Sequence, residues 1–171
     1  KSLEKESIVE TTLRIVSLNN NDKFQKKLVI PKDASDWANQ YFNDHHLSKN
    51  KTISLFFGSK QQSSIWPVKR VVEFVQKFLS EYTGFNLLLV GGEHERQVAE
   101  HIVEIIPEHL KNRLFNLVTK TNLLQSAALI DISKCLVSTD SGPMHIGDAL
   151  GTPVVALMSD KNHLNIWRPY Q

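Results

Sequence analysis

One short segment, Asp140-Ser141-Gly142-Pro143-Met144-His145, concentrates residue types that could do chemistry. Pro143 suits the first turn of a helix, where no amide hydrogen is required, and Ser141 or Gly142 can cap that helix. The free amides and the dipole at a helix start attract anions, and Gly142 has no side chain to block a phosphate. His145 falls in the first turn, within reach of the same ligand. The segment therefore predicts a phosphate site, with a plain helix cap beside a packed histidine as the alternative.

The elements that would position this segment follow from the apolar pattern. Short apolar runs alternate with amphipathic stretches from Ile53 onward, which predicts an α/β fold, a Rossmann-like parallel sheet with helices on both faces. The predicted strands are 53–57, 87–90, 115–118, 135–138 and 154–157, and the predicted helices are 68–80, 93–106, 123–130 and 143–150. Upstream, the pattern predicts a helix over 4–18, a strand over 27–30 and a helix over 34–42.

Polar residues follow every predicted strand. These stretches consist of glycine, hydroxyl-bearing and charged residues, and they are 58–60, 91–93, 119–121, 139–142 and 159–161. Ligands of an open parallel sheet bind outside the carboxyl ends of its strands. We therefore expect the ligand at this edge of the sheet, and we expect it to carry phosphate.

Composition excludes several classes of function. A formal net charge of +2, with no basic stripe among aromatic residues, argues against a nucleic-acid partner. Cys135 is the only cysteine, so no intramolecular disulfide or cysteine metal site can form, which fits a cytoplasmic protein. Metal-type spacing with acidic partners is missing at six histidines, His45, His46, His94, His101, His109 and His163, and we expect neither a metal nor a cofactor. Because the chain begins at Lys1 and not at methionine, we expect it to be part of a longer protein.

Familiar nucleotide and hydrolase motifs are missing from the sequence. It has no G-x-G-x-x-G after a strand, no G-x-x-x-x-G-K-[ST] and no G-x-S-x-G. These absences argue against nicotinamide or flavin binding, a P-loop nucleotidase and a serine hydrolase.

Other motifs surround the 140–145 segment in a recognisable order. Gly58-Ser59 closes the first strand, Trp66-Pro67 opens a helix, and a Leu-Leu-Leu-Val-Gly-Gly strand precedes Glu95. A leucine-rich helix follows, and Ala149-Leu150-Gly151-Thr152-Pro153 leads into the last strand. Over about two-thirds of its length, from near Ile53 to near Pro169, the sequence resembles glycosyltransferase family 9, the ADP-heptose:lipopolysaccharide heptosyltransferases.

The resemblance implies a GT-B enzyme with two Rossmann-like domains, of which this chain is similar to the C-terminal one. Residues 1–50 would then be an inter-domain helical region, residues 51–171 the nucleotide-sugar-binding domain, and the N-terminal acceptor domain would be absent. The implied reaction is inverting transfer of heptose from ADP-heptose to a lipid A–core oligosaccharide, in lipopolysaccharide core biosynthesis. The catalytic base would belong to the missing domain, so this chain would bind the donor without catalysis. The implied location is the cytoplasm, with peripheral contact at the inner membrane.

The resemblance also implies a role for each matching residue. Ser59 and Lys60 match the loop that contacts the donor diphosphate, and Glu95 matches the acid that accepts from the ribose hydroxyls. Asp140, Ser141 and Gly142 match the segment that faces the donor sugar and phosphates. His145 matches the histidine of the same motif. In one departure, the family's lysine two residues before Trp66 is Ser64 here, and Lys60 would have to neutralise phosphate in its place.

Each of these assignments has an alternative that needs no ligand. Trp66 could simply cover the core, Glu95 could be a solvated helix carboxylate, and Lys60 could be an ordinary surface charge. Two other functions also remain open. One is another GT-B transferase or an epimerase with a UDP-sugar, and the other is a non-catalytic α/β module that has lost its donor site.

Overall fold

The computed structural model describes residues 28–59 and 65–158 of the chain. Within these ranges, five strands form one sheet: β1 (Thr52–Phe56), β2 (Asn86–Leu89), β3 (Leu114–Asn116), β4 (Cys135–Thr139) and β5 (Val154–Leu157). The α-helices of the same ranges are α1 (Lys32–Asp44), α2 (Val68–Glu81), α3 (Arg96–Ile105), α4 (Glu108–Lys111), α5 (Leu123–Ile132) and α6 (Gly142–Leu150). The helix predicted over 4–18 lies outside the described residues.

All neighbouring strands of the sheet run parallel, in the order β3-β2-β1-β4-β5. β1, β2 and β4 are almost fully buried because both faces of the sheet are covered by helices. One face carries α2, α3 and α4, around a core that includes Leu55, Val75 and Ile102. The opposite face carries α1 and α5, around Phe42, Leu88 and Leu129. The α/β fold class predicted from the sequence, with helices on both faces of a parallel sheet, is confirmed.

Helix α1 belongs to the same core as the sheet. Its buried face consists of Ala34, Ala38 and Phe42, at helical spacing, and it packs mainly on α5. The role of residues 1–50 as a connection between domains stays a prediction. The strand predicted near Ile30 is wrong for its described residues, since residues 28–30 join no sheet. The Leu28 amide instead donates to Ala149 O, at 3.1 Å.

Two further differences concern the stretch between β2 and β3. The helix predicted over 93–106 begins as a 3₁₀ turn, Glu93–Glu95, before α3. The short helix α4 was not predicted, and it starts directly after Pro107, which ends the preceding stretch and opens the next. β3 also ends at Asn116, two residues earlier than predicted, where the Asn116 side chain accepts from the Val118 amide at 3.1 Å.

Arg113, just before β3, closes the carboxyl end of α2. Its Nη2 donates to Leu79 O at 2.6 Å, and its Nη1 donates to Tyr82 O and Phe85 O at 3.2 Å each. The last carbonyls of a helix have no partner inside the helix, and a cation suits that end of the dipole. One side chain thus joins α2, the following turn and β3.

Candidate functional site

The site predicted from the sequence lies where β1 and β4 meet. The connection after β1 leads to α2 on one face of the sheet. The connection after β4 leads to α6, whose Gly147 packs over Leu136, Val154 and Ile130 on the other face. The last β1–β4 pair is Phe56 with Ser138, and beyond it the two chains diverge. Such a reversal of direction in an open parallel sheet leaves a crevice for a ligand at the carboxyl edge.

Ser141 and Gly142 form the start of α6 at this crevice. Ser141 is the N-cap residue, but its hydroxyl donates to Thr139 O at 3.0 Å and makes no bond to a helix amide. The Ser141 side chain therefore satisfies none of the amides at the start of α6, and a plain helix cap beside a packed histidine stays the alternative to a phosphate site. The Met144 amide donates to Ser141 O at 3.1 Å and Pro143 has no amide hydrogen, which leaves the Gly142 amide without an acceptor inside the helix.

The space in front of Gly142 is open. Apart from its chain neighbours and the backbone of α6, a Cβ built on this residue meets no described atom within 4 Å, and Gly142 is exposed. Asp140 and His145, on either side, are half-buried. An uncapped amide, a helix dipole and an open approach are what an anion needs at a helix start.

Glu95 lies beneath the ends of β1 and β2. It is only 9% exposed, and its Oε2 accepts from the Gly92 amide at 2.9 Å. The alternative of a solvated helix carboxylate is therefore wrong. A Cβ built on Gly58 would overlap Glu95 Oε1 and lie 2.6 Å from the carboxyl carbon, and one built on Gly91 would lie 3.1 Å from Glu95 Cβ. The carboxylate fits against bare backbone on both loops, and its contact with a ribose stays a prediction.

Thr139, the last residue of β4, joins the loop after β1 to the start of α6. Its hydroxyl donates to Gly58 O in a short hydrogen bond. Its own carbonyl accepts from the hydroxyls of Ser141, at 3.0 Å, and Ser138, at 2.9 Å. Thr139 belongs to the polar stretch 139–142 that the sequence predicts at the ligand edge, but the sequence alone gives it no role there because its partner, Gly58 O, lies on another loop.

A cavity of about 290 Å³ lies on the β2 side of the crevice, and we call it the β2-side cavity. Its walls are mostly apolar, with Phe56, Val90, Ala127, Ile130 and Ile146. Its rim consists of Gly91, Gly92, Thr121, Asn122, Leu123, Ser126 and Pro143.

The polar side chains at the rim of this cavity are bonded to one another. Thr121 and Ser126 share a hydroxyl hydrogen bond of 2.7 Å. Asn122 caps α5 by accepting from the Gln125 amide at 2.9 Å, and the Gln125 side chain accepts from the Asn122 amide at 3.0 Å. This capping box, Asn-x-x-Gln, is a sequence signal that could have located the start of α5 at the rim.

A second crevice, of about 410 Å³, lies on the other side of β4. It is lined by Ile65, Trp66, Pro67, Thr139, Ala156, Leu157 and Met158. Trp66 packs against the core beside Phe74, with ring centroids 5.4 Å apart. The prediction that Trp66 could serve to cover the core is confirmed.

The structure brings Glu95, Asp140, Ser141 and Gly142 to one edge of the sheet, with Ser59 in the loop after β1 and His145 in the first turn of α6. Lys60 and Ser64 lie outside the described residues. No three histidine, cysteine, aspartate or glutamate side chains gather as metal ligands in the parts that the structure describes. Nor is any helix of the described ranges both long and apolar enough to cross a membrane.

Known proteins are similar to this chain in sequence and in fold. The family model of glycosyltransferase family 9 (heptosyltransferase) matches residues 4–171. Lipooligosaccharide heptosyltransferase 2 of Haemophilus influenzae is 33% identical over 92 residues, which cover 54% of this chain and 26% of that protein. The chain thus spans about a quarter of the length of this relative.

Solved structures agree with the sequence comparison. A family 9 glycosyltransferase from Veillonella parvula has the same fold over 97% of this chain and 47% of its own, with a TM-score of 0.82 and 23% identity. The Escherichia coli ADP-heptose LPS heptosyltransferase II matches over 76% of this chain and 38% of its own, with a TM-score of 0.64 and 25% identity. A family match over nearly the whole chain shows that this protein belongs to glycosyltransferase family 9, the heptosyltransferase family.

Proposed function

We propose that this chain is the part of a heptosyltransferase that binds the nucleotide-sugar donor, with ADP-heptose as that donor. The observation that carries the proposal is the uncapped start of α6, which faces open space at the point where β1 and β4 diverge. The related Escherichia coli enzyme is described as an ADP-heptose LPS heptosyltransferase, which supports the choice of nucleotide.

The diphosphate of the donor would lie between the start of α6 and the loop after β1. The Gly142 amide would donate to a phosphate oxygen, and the positive end of the helix dipole would favour its negative charge. Ser59, which closes the β1 loop, would contact the same group from the other side. Asp140 and His145, half-buried on either side of Gly142, would face the sugar and the phosphates.

The nucleobase would enter the β2-side cavity, which has apolar walls suited to a flat ring. Its polar rim side chains already have hydrogen-bond partners within the protein. The Gly92 amide and the carbonyls of Gly91 and Gly92 are also bonded, so apolar contact with the walls would hold the base. Glu95 sits between this cavity and the β1 loop, where a ribose would lie. The ribose hydroxyls would have to reach a carboxylate that is only 9% exposed and that fills the space left by the glycine side chains.

The reaction would break the bond between the anomeric carbon of the heptose and the diphosphate oxygen. The electron pair of that bond would leave with ADP, and the Gly142 amide and the α6 dipole would offset the growing negative charge. An acceptor hydroxyl of a lipid A–core oligosaccharide would attack the anomeric carbon from the opposite side, with inversion. Its proton would pass to a base in a domain outside this chain. We place this reaction in the cytoplasm, with peripheral contact at the inner membrane.

The proposal is tested by titrating the unaltered chain with ADP and UDP in a calorimeter. We expect ADP to bind more tightly than UDP. Asp140→Ala and His145→Ala should each lower the affinity for ADP. Tighter binding of UDP would favour a transferase or epimerase with a uridine donor. Binding of neither nucleotide would favour a module that has lost its donor site.

Gly142→Ala gives the sharpest variant because its effect on folding should be small. The added methyl group meets no protein atom within 4 Å, but it would stand where the phosphate approaches. We expect ADP affinity to fall about tenfold or more, which corresponds to about 1.4 kcal/mol, with an unaltered melting temperature. Gly84→Ala is the matched control, since a Cβ at Gly84 also meets nothing within 4 Å. Equal ADP affinity in the two variants would contradict a phosphate at the start of α6.

A further inference from the structure

We infer that Thr139 is a positioning residue, which fixes the loop after β1 against the start of α6 and thereby sets the shape of the diphosphate site. The inference rests on the proposed function, and it adds a residue that the resemblance to the family does not assign. Thr139 is 1% exposed, so it acts through the two loops that it joins.

The position of Thr139 in the sheet makes its hydroxyl the link between these loops. The β1–β4 ladder ends at the pair Phe56 and Ser138, and the two chains diverge after it. The hydrogen bond from Thr139 Oγ1 to Gly58 O lies just beyond that last pair and spans 81 residues of sequence. It therefore continues the connection between β1 and β4 to the point where the ligand crevice opens.

The carbonyl of the same residue holds the other loop. Thr139 O accepts from the Ser141 hydroxyl at 3.0 Å, which turns that side chain away from the amides of α6. Ser138 Oγ lies 3.2 Å from Ser141 Oγ and strengthens the same arrangement. The uncapped Gly142 amide and the Gly58 carbonyl are thus both placed by Thr139.

Removing the hydroxyl would release one side of this arrangement. A part-buried carbonyl that loses its donor is left unsatisfied, so the loop after β1 would turn until Gly58 O finds another partner. Ser59 would move with it, away from the diphosphate. The base would bind as before, because the β2-side cavity is lined by other residues.

The test compares ADP with AMP, because AMP lacks the outer phosphate that would reach the crevice between β1 and β4. Titrations followed by NMR would give both affinities for the unaltered chain, Thr139→Val and Thr139→Ser. We expect Thr139→Val to lower the affinity for ADP at least fivefold and the affinity for AMP less than twofold. Thr139→Ser, which keeps the hydroxyl, should restore the preference for ADP.

Thr52→Val is the matched control. Thr52 is also fully buried, and its hydroxyl also donates to a main-chain carbonyl, Ser48 O at 2.8 Å, but at the opposite edge of the sheet. We expect this variant to keep the preference for ADP over AMP. An equal loss in both threonine variants, an equal loss of ADP and AMP, or no loss in Thr139→Val would each overturn the role of Thr139.

A second measurement needs no variant and stays valid if Thr139→Val does not fold. ADP should shift the amide resonances of both Ser59 and Gly142 in the unaltered chain, and AMP should shift them less. Absence of a shift at either residue, with ADP bound, would also overturn the inference. Failure of the unaltered chain to bind ADP at all would instead refute the proposed function.

Discussion

Replacing Gly58 by alanine tests the packing that joins the ends of β1 and β2. The new Cβ would overlap Glu95 Oε1 and lie 2.6 Å and 2.7 Å from the next two carbons of that side chain. The backbone of Gly58 lacks the positive φ that would by itself penalise alanine. The cost of the substitution should therefore come from Glu95 alone.

The magnitude follows from what Glu95 would have to give up. A side chain that is 9% exposed has little room, so it can move only by breaking its 2.9 Å bond with the Gly92 amide. Hydrogen bonds to charged groups contribute about 1.5–3 kcal/mol, and forcing extra atoms into a packed site costs about 1–3 kcal/mol. We expect Gly58→Ala to lower the free energy of unfolding by about 2–4 kcal/mol.

A double-mutant cycle, measured by urea denaturation, separates this contact from other effects. Glu95→Ala removes the three atoms nearest to the new methyl group, all of which lie within 3 Å of it. In that background, we expect Gly58→Ala to cost nothing or to stabilise by up to about 1 kcal/mol, because alanine restricts the unfolded chain. The coupling energy should then be about 2 kcal/mol or more.

The result that would refute this reasoning is additivity. If Gly58→Ala costs the same with and without the Glu95 side chain, the overlap with the carboxylate is not its cause. A cost below about 1 kcal/mol in the unaltered background would have the same meaning. Gly84→Ala, whose Cβ meets no atom within 4 Å, should leave the free energy of unfolding close to its original value.

Two further predictions concern residues away from the site. Arg113→Met should lower the free energy of unfolding by about 2 kcal/mol, because the carbonyls of Leu79 in α2 and of Tyr82 and Phe85 in the following turn lose a cationic donor. Arg70→Met, which breaks an exposed ion pair, should change the urea midpoint little. Equal effects of the two variants would contradict the cap. Burial raises the pKa of the Cys135 thiol, against the opposing charge of Lys134, so Cys135 should react with a disulfide reagent at pH 8 more slowly than a free thiol does. Because the folded state then holds its proton more tightly than the unfolded state, stability relative to Cys135→Ala should fall as the pH rises above about 8.5; a flat difference would show that burial does not shift this group.

The sheet could be predicted because buried parallel strands appear as continuous apolar runs between amphipathic helices. The strand ends were displaced by one or two residues because burial extends further than pairing. Phe57, Val90 and Val118 are buried, yet each lies outside its strand. A sequence pattern records burial directly and hydrogen-bonded pairing only indirectly.

The candidate site was predicted in part for a similar reason. All strands of a parallel sheet end at the same edge, so the residues after β1, β2 and β4 had to meet there. The pattern could not predict that the Glu95 carboxylate turns back to the Gly92 amide, because that depends on a 3₁₀ turn, on Gly91 in the same loop and on Gly58 in the loop after β1. Nor could it predict the bond between Thr139 and Gly58, since that bond exists only once β1 and β4 are neighbours.

Gly58 and Gly142 are both glycines of the crevice, but the structure gives them different reasons to be glycine. Gly58 is held from both sides, by the Thr139 hydroxyl at its carbonyl and by Glu95 at its Cα, so a side chain there disturbs the protein itself. Gly142 faces open space, so a side chain there disturbs only what binds in front of it. Stability and donor affinity should therefore fall together at position 58, whereas affinity alone should fall at position 142. Only a ligand at the start of α6 explains a difference of this kind, because packing gives no reason to exclude alanine from position 142.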